Sequence, residues 1–310
     1  MEHTGCGLPK SRPPGLSAMG TSSLRFDSWS LAWREFLRAL GPRSRTSRCI
    51  HIQQAWRRLR PKPQSVQLEG SVYCVDHCLE NALSASLRRA RLAPQLSPVP
   101  HRIPLGLLLL SREQITVAQL QAALEAQRAA ARGRIGEWLQ SLGFADEQQV
   151  TAALARQWSC PILRSNSSTV WREHAPQIPQ ALLEHFSMVP VDYVESTSTL
   201  HMAFGEGIDY TALYGIEQML GCHTDVCMAV PSFIRTRLAE LPDNRGDCEI
   251  VFERVADQAE SCRIIRSYSV RLAASEIRFV PVGPYLWVRL RAPSRPSLDL
   301  LLRSPHRASA

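Results

Sequence analysis

Apolar residues recur at helical spacing in the first half of the chain, and strands alternate with helices after it. Leu79, Leu83 and Leu87 mark one face of a helix within residues 73–91. Between residues 105 and 157 the helical period continues in shorter segments. Short apolar runs from residue 158 onwards predict strands at 162–163, 188–193 and 199–204, and helices at 182–186, 210–220 and 233–241.

The last part of the chain predicts a strand at 249–252, a helix at 257–272 and a β-hairpin. The hairpin pairs residues 276–282 with 285–291 around Gly283-Pro284. The fold class that follows is α+β: a tandem helical-hairpin repeat, then a small α/β subdomain, then a small helix-plus-hairpin domain.

Composition adds further segments to this order. Residues 1–24 are rich in Pro, Gly and Ser with few apolar anchors, which predicts disorder. The predicted organisation is a disordered tail at 1–24, a basic helical region at 25–92, a proline-containing linker at 93–103, the repeat with its α/β subdomain at 104–241, the helix and hairpin at 249–302 and a tail at 303–310.

The sequence repeats itself between residues 104 and 157. A first copy, residues 104–127, aligns with a second copy, residues 134–157, and the starts are 30 residues apart. Each copy predicts a helix, a turn and a second helix, with Thr116 and Asp146 as N-caps of the second helices. Two packed helical hairpins whose leucines form only a core are the simplest interpretation.

Three features of the repeat do not follow from core packing. A glycine near the start of a helix costs stability unless something approaches the backbone closely. Arg134, beside that glycine in the second copy, places a planar group with five donors at a helix N-terminus. Gln127 and Gln157 end the two copies and can form hydrogen bonds without adding charge.

Most motif positions are present in both copies. They are Arg134, Ile135, Gly136, Leu139, Gly143, Val150, Leu154 and Gln157 in the second copy, and Leu105, Gly106, Leu109, Leu120, Leu124 and Gln127 in the first. This pattern resembles the N-terminal regulatory (MshEN-type) domain of type II secretion and type IV pilus assembly ATPases. The resemblance continues to about residue 241 and implies cyclic di-GMP as a ligand of these residues.

The first copy departs from the family motif at two positions. Pro104 stands where Arg is expected, and Glu113 stands where the second Gly is expected. Arg102, two residues upstream, is the candidate replacement for the missing guanidinium. Arg pairs bidentately with guanine or with phosphate, and Gly lets a phosphate approach helix N–H groups. Arg134 therefore carries the ligand prediction.

Residues 274–279 and 286–291 resemble the start of the second domain of the same ATPases. There, an Ala-Ser-Asp-Ile-His strand pairs with a Val-Arg-containing strand that leads into the nucleotide-binding core. This chain has Glu276 in place of the Asp and Arg278 in place of the His. The motor core does not follow in this sequence, and a plain hairpin packed on a helix is the alternative interpretation.

Two cysteines before the first predicted helix resemble the second half of a treble-clef zinc finger. They are Cys74 and Cys78, and the first half would be Cys49 and His51, an unusual spacing. Structural zinc takes four N or S ligands, so these four residues are the predicted set, with His77 as an alternative to His51. A knuckle that has lost a ligand and packs without metal is the other interpretation.

The formal net charge is +8, and a basic stretch at residues 34–62 is opposed only by Glu35. This stretch suits nucleic acid, anionic lipid or an acidic protein face, or it is simply a solvated basic face. Neither Lys10 nor Lys62 follows a glycine, which excludes a Walker A phosphate loop. Since no nucleophile–base or carboxylate pair is apparent either, the chain is predicted not to be an enzyme.

Apolar runs are too short for a membrane span, and the N-terminus lacks the apolar core of a secretion signal, so we expect a cytoplasmic protein. Two functions are compatible with the sequence. The first is a regulatory protein that binds cyclic di-GMP and acts through protein contacts. The second is a ligand-blind adaptor that docks on secretion or pilus components, or on nucleic acid through residues 34–62.

Overall fold

The computed structural model describes residues 64–75, 78–92, 102–163, 171–241 and 248–303, which all belong to one compact unit. The predicted tail at 1–24, residues 304–310 of the predicted tail at 303–310, the basic stretch at 34–62 and residues 93–101 of the linker lie outside the described residues. Arg303 was predicted to belong to that tail, but it is the last residue of a strand. None of the helices in the described ranges is long and apolar enough to cross a membrane.

A β-hairpin and a helix precede the repeat. Strand β1 (Ser65–Leu68) pairs antiparallel with β2 (Ser71–Cys74), and helix α1 (Leu79–Leu92) follows. The two turn residues, Glu69 and Gly70, both have positive φ, 48° and 81°. A tight two-residue turn between strands requires this combination.

Each copy of the repeat forms a short helix, a turn and a longer helix. The helices are α2 (Leu105–Leu110), α3 (Val117–Ala130), α4 (Ile135–Ser141) and α5 (Glu147–Trp158). The side chains of Thr116 and Asp146 accept hydrogen bonds from the backbone N–H groups of Gln119 (3.3 Å) and Gln149 (2.6 Å). Both predicted N-caps are therefore confirmed.

A three-stranded sheet with flanking helices follows. Its elements are α6 (Trp171–His174), α7 (Gln180–His185), β3 (Met188–Val194), β4 (Thr199–Phe204), α8 (Tyr210–Leu220), β5 (His223–Met228) and α9 (Pro231–Ala239). Central strand β4 runs antiparallel to β3 and parallel to β5. The sequence analysis did not predict β5, because exposed His223 and Asp225 interrupt any apolar run.

The C-terminal part forms a six-stranded sheet together with the N-terminal hairpin. Its own elements are β6 (Glu249–Phe252), α10 (Gln258–Arg271), β7 (Glu276–Val282), β8 (Tyr285–Ala292) and β9 (Arg295–Arg303). The strand order is β2-β1-β7-β8-β9-β6, with β1 parallel to β7 and β6 parallel to β9. The mixture of helices and sheets confirms the α+β class, and β9 is a further strand that was not predicted.

This sheet joins residues that the sequence analysis placed in separate segments. Residues 65–74 were predicted to belong to a helical region, but Val66 and Leu68 are buried between exposed neighbours, which is the period of a strand. The backbone N–H of Gln67 donates to the carbonyl of Ser275 at 2.8 Å. The predicted helix-plus-hairpin domain at 249–302 is therefore completed by a hairpin and a helix from before the repeat.

Both faces of the six-stranded sheet are buried. On one face, Val288 and Leu300 pack against the apolar sides of α1 and α10. On the other, Trp287 and Leu301 share a core with the three-stranded sheet and α8. The α/β subdomain and the C-terminal sheet are therefore packed through one continuous core across the predicted boundary at 241–249.

The turns inside the two copies have left-handed residues at equivalent positions. Glu113 has a φ of 59° and the aligned Gly143 has a φ of 70°. A residue with a Cβ destabilises the fold by about 1–2 kcal/mol in this conformation, whereas Gly adopts it readily. The first copy keeps the conformation with a Glu instead.

Replacing Glu113 by Gly is expected to raise the free energy of unfolding by about 0.5–1 kcal/mol, because relief of the strain exceeds the entropy that Gly adds to the unfolded chain. Urea denaturation measures this. Gly143→Ala is the matched control. Because no atom lies within 4 Å of the Cβ position, the left-handed backbone alone opposes the alanine, and the stability should fall by a similar amount. A less stable Glu113→Gly variant would contradict the prediction.

Candidate functional site

A groove of about 880 Å³ lies between the repeat and the α/β subdomain. Seven residues of the predicted ligand set line it, and they come from both copies: Leu105 of the first, and Arg134, Ile135, Gly136, Val150, Leu154 and Gln157 of the second. The opposite wall consists of the C-terminal end of α7, the loop at 205–209 that follows β4, and the first half of α9. The groove is thus built where the repeat meets the α/β subdomain.

The two glutamines connect the copies to each other. The Gln127 side-chain amide donates to the carbonyl of Gly133, just before the second copy, at 2.9 Å. The Gln157 amide donates to the carbonyl of Ile103, just before the first copy, at 2.7 Å. Each copy therefore fixes the start of the other. Both glutamines thus form the hydrogen bonds that their side chains allow, and the donating amide nitrogens hold the two copies together.

The two motif glycines allow the helices to approach closely. A Cβ on Gly106 would lie 2.6 Å from Leu120 Cδ1, and a Cβ on Gly136 would lie 3.1 Å from Leu105 Cδ2 and from Val150 Cγ1. The sequence analysis attributed these glycines to a phosphate that approaches the backbone. The structure supplies a packing reason for both, because the side chain of the next helix occupies that space.

The remaining apolar motif positions belong mainly to the core of the repeat. Leu109 and Leu139 are fully buried in it, and Leu120 is partly buried against it. Leu124 and Gln127 are partly buried on α3, and they do not line the groove. Gly143 lies in the exposed turn between α4 and α5. The ligand set predicted from sequence therefore divides into groove residues and framework residues.

Arg134 lies at the mouth of the groove. It is the N-cap residue of α4, and its backbone N–H donates to Glu137 Oε2 at 3.3 Å. Its guanidinium Nη1 lies 2.9 Å from Glu206 Oε2, and 64% of the side chain is exposed. An exposed ion pair of this kind contributes little stability. Glu206 therefore holds the guanidinium only weakly.

Arg102, the candidate replacement for the arginine missing at Pro104, is not among the residues that line the groove. Its guanidinium carbon lies 3.1 Å from the centroid of the Trp158 ring. The centroid of the Tyr210 ring lies 6.2 Å from that of Trp158, with the two rings tilted by 47°. Burial lowers the pKa of Arg102, with Tyr210 and Cys160 opposing the shift. The guanidinium therefore stacks on Trp158, a residue that does line the groove.

Four carboxylates line the groove that the sequence analysis did not assign to a site. Three of them accept hydrogen bonds from backbone N–H groups. Glu137 accepts from Arg134, Glu147 from Ser232 (2.6 Å), and Asp209 from the first turn of α8. The fourth is Glu206, between Gly205 and Gly207. A carboxylate between two glycines directly after a buried strand is the sequence signal that would have located this loop, and it was missed.

His185 also lines the groove, and its surroundings disfavour a positive charge on its ring. Its ring packs edge-on against Phe186 (4.8 Å) and Tyr285 (5.1 Å). Burial, followed by the charge of Arg303, lowers the pKa of His185 below its ordinary value of 6.5. The positive charge that faces a ligand is therefore carried by arginines.

The predicted zinc set is only partly within the described ranges. Cys49 and His51 lie outside them, as does His77. Cys74 is buried at the end of β2, and Cys78 is half-buried before α1. Among the described residues, no three His, Cys, Asp or Glu side chains are grouped so that they could hold a metal ion. The zinc site stays a prediction.

Solved structures provide a comparison for this arrangement. Part of this chain resembles MshE. A structure of MshE with cyclic di-GMP is 26% identical over 46% of this chain and 100% of that one, with a TM-score of 0.39. Two crystal forms of the N-terminal domain of XpsE are 15% and 16% identical, over 44% and 43% of this chain and 92% and 91% of theirs, with TM-scores of 0.34 and 0.28.

The likeness to MshE and XpsE covers less than half of this chain. All three TM-scores lie below 0.5, so the likeness by itself assigns neither a ligand nor a site residue here. No protein-family model matches the chain. No curated protein matches it either.

Proposed function

We propose that this chain is a non-catalytic regulatory protein that binds cyclic di-GMP in the groove and transmits binding through protein contacts. The observation that carries the proposal is the meeting of both motif copies in one groove. Arg134, Val150 and Gln157 of the second copy line the groove together with Leu105 of the first. Six of the motif residues in the groove thus come from the second copy and one, Leu105, from the first.

The chemistry of the groove suits a nucleotide. Its volume of about 880 Å³ falls within the ordinary range of small-molecule sites, roughly 300–1,000 Å³. Leu105 and Leu154 offer apolar surface to a flat guanine ring, and each Å² removed from water contributes about 25 cal/mol. Arg134 can pair bidentately with a guanine edge or a phosphate once it leaves Glu206.

Isothermal titration calorimetry of the full chain with cyclic di-GMP tests the proposal. Saturable binding is expected, and Arg134→Ala is expected to raise Kd by about tenfold or more, as the loss of a charge-assisted hydrogen bond of about 1.5–3 kcal/mol requires. Arg132→Ala is the matched control, because Arg132 is exposed two residues away and does not line the groove. Its Kd should equal that of the wild type.

Two outcomes would sink the proposal. One is an absence of binding at 100 μM ligand, a concentration chosen because it corresponds to a binding free energy of only about −5.5 kcal/mol. The other is equal affinity of the Arg134→Ala and Arg132→Ala variants, which would show that the ligand does not use the groove.

A ligand-blind adaptor is the second candidate function, and two observations favour it. Pro104 leaves the first copy without its arginine, and Glu206 already pairs with the arginine of the second. In this case the groove is only a joint between the repeat and the α/β subdomain. The chain would then dock on secretion or pilus components, or on nucleic acid through residues 34–62. Affinity for DNA that falls steeply with added salt would support the latter.

A further inference from the structure

A ligand with two phosphates needs more positive charge than Arg134 alone provides. The first copy lacks its arginine at Pro104, and the guanidinium of Arg102 is stacked on Trp158 and does not itself line the groove. We propose that Arg235, in α9 on the opposite wall, is the second phosphate-binding residue of the groove. This inference rests on the proposed function, because it concerns the same ligand and the same cavity.

The surroundings of Arg235 leave it able to turn towards a ligand. It lines the groove together with Arg134, and 74% of its side chain is exposed. Its ion pair with Glu147 measures 3.8 Å, well beyond the 2.7–2.9 Å of a strong charge-assisted hydrogen bond. A long, exposed pair contributes little stability, so exchanging Glu147 for a phosphate oxygen is inexpensive.

The backbone N–H groups at the start of α9 do not provide a phosphate-binding site. The Ser232 N–H donates to Glu147 Oε1 at 2.6 Å, and the N–H groups of Phe233 and Ile234 donate to the carbonyl of Val230. The N-terminus of the helix is therefore already capped by a carboxylate and by its own first turn. An anion at this end of the groove meets the guanidinium of Arg235 rather than N–H groups.

Four carboxylates, Glu137, Glu147, Glu206 and Asp209, also line the groove, so the support for the assignment lies in where its positive charges are placed. Arg134 and Arg235 are the two arginines among the described residues that line the cavity, and no lysine lines it. Burial lowers the pKa of His185, which disfavours a positive charge on this side chain. One arginine lies on the repeat and the other on the α/β subdomain, so a ligand with two phosphates would bridge the two walls.

Calorimetry of the full chain with cyclic di-GMP tests this. Arg235→Ala is expected to raise Kd about tenfold or more, and Arg235→Lys, which keeps the charge but loses the planar fork, by a smaller factor. Arg156→Ala, an exposed arginine outside the groove, should leave Kd unchanged. Because Arg235 is mostly exposed, the melting temperature of the alanine variant should stay close to that of the wild type.

The outcomes separate this inference from the proposed function. If the wild type does not bind, both fail. If the wild type binds and Arg134→Ala weakens binding while Arg235→Ala does not, only the role of Arg235 is overturned. In Arg235→Ala the uncovered carboxylate of Glu147 could repel the ligand. Measuring Kd with and without Arg235→Ala in a Glu147→Gln background tests for this indirect effect. If Arg235→Ala no longer weakens binding there, the loss came from the uncovered charge of Glu147, and the inference is wrong.

Discussion

A chain that lacks residues 1–92 is expected to lose cooperative folding of the C-terminal sheet. This deletion removes six buried apolar side chains from one face of that sheet, namely Val66, Leu68, Val75, Leu79, Leu83 and Leu87. Full burial of such side chains contributes about 1.5–3 kcal/mol each, so the loss is roughly 10 kcal/mol or more. That matches the whole stability of an ordinary domain, about 5–15 kcal/mol. The deletion also uncovers β7 as an unpaired edge, which favours aggregation.

A chain that lacks only residues 1–63 is the matched control, because it keeps every described residue. Its thermal unfolding, followed by circular dichroism, should remain a single cooperative transition, whereas the chain starting at residue 93 should show none. A cooperative transition in both chains would contradict the prediction, because the hairpin and α1 would then not be needed. Loss of the transition in both chains would also contradict it, because the cause would then lie in residues 1–63.

The local elements of this fold were predictable because their signals are short-range. The tandem repeat followed from apolar periodicity, and the caps Thr116 and Asp146 followed from their position before each longer helix. The hairpin of β7 and β8 followed from alternating runs on both sides of Gly283-Pro284. Each of these depends on residues that are near one another in the sequence.

The long-range pairings were not predictable from such patterns. Strand β1 pairs with β7, about 200 residues later, through two residue pairs in parallel register. Four-residue strands such as β1 and β2 leave too few positions to distinguish a strand from a helix, and the basic residues before them suggested a helical region. Which strands pair is determined by the shared core under the sheet, which appears only after folding.

The candidate site was predicted in part for the same reason. The motif located the repeat wall of the groove, including Arg134, Leu154 and Gln157. It could not locate Glu206 or Arg235, because these lie in a loop and a helix of another subdomain. The motif also could not show that Gly106 and Gly136 allow helices to pack closely, or that the two glutamines form hydrogen bonds across the copies. Both are contacts between helices, which become visible only in the folded chain.

Replacing Asp299 by Ala is expected to lower the free energy of unfolding by about 3–5 kcal/mol, because it leaves a buried guanidinium without its counter-charge. Asp299 and Arg289 lie on adjacent strands β9 and β8, with 10% and 7% of their side chains exposed. Two hydrogen bonds of 2.8 Å join them, and the Trp287 indole donates to the same carboxylate at 2.9 Å. After the substitution, the carbonyl of Gln177 is the partner that Arg289 keeps.

The matched control removes both charges at once. In an Arg289→Met, Asp299→Leu double variant no buried charge is left unpaired, so its loss of stability should be smaller than that of Asp299→Ala alone. Urea denaturation of the three chains gives the comparison, and the single variant should also melt about 10 °C below the wild type. A loss below about 1 kcal/mol in the single variant would mean that water reaches Arg289 and solvates its charge. Equal losses in the single and double variants would instead place the stabilisation in side-chain packing, and the ion pair would then have no part in holding β8 to β9.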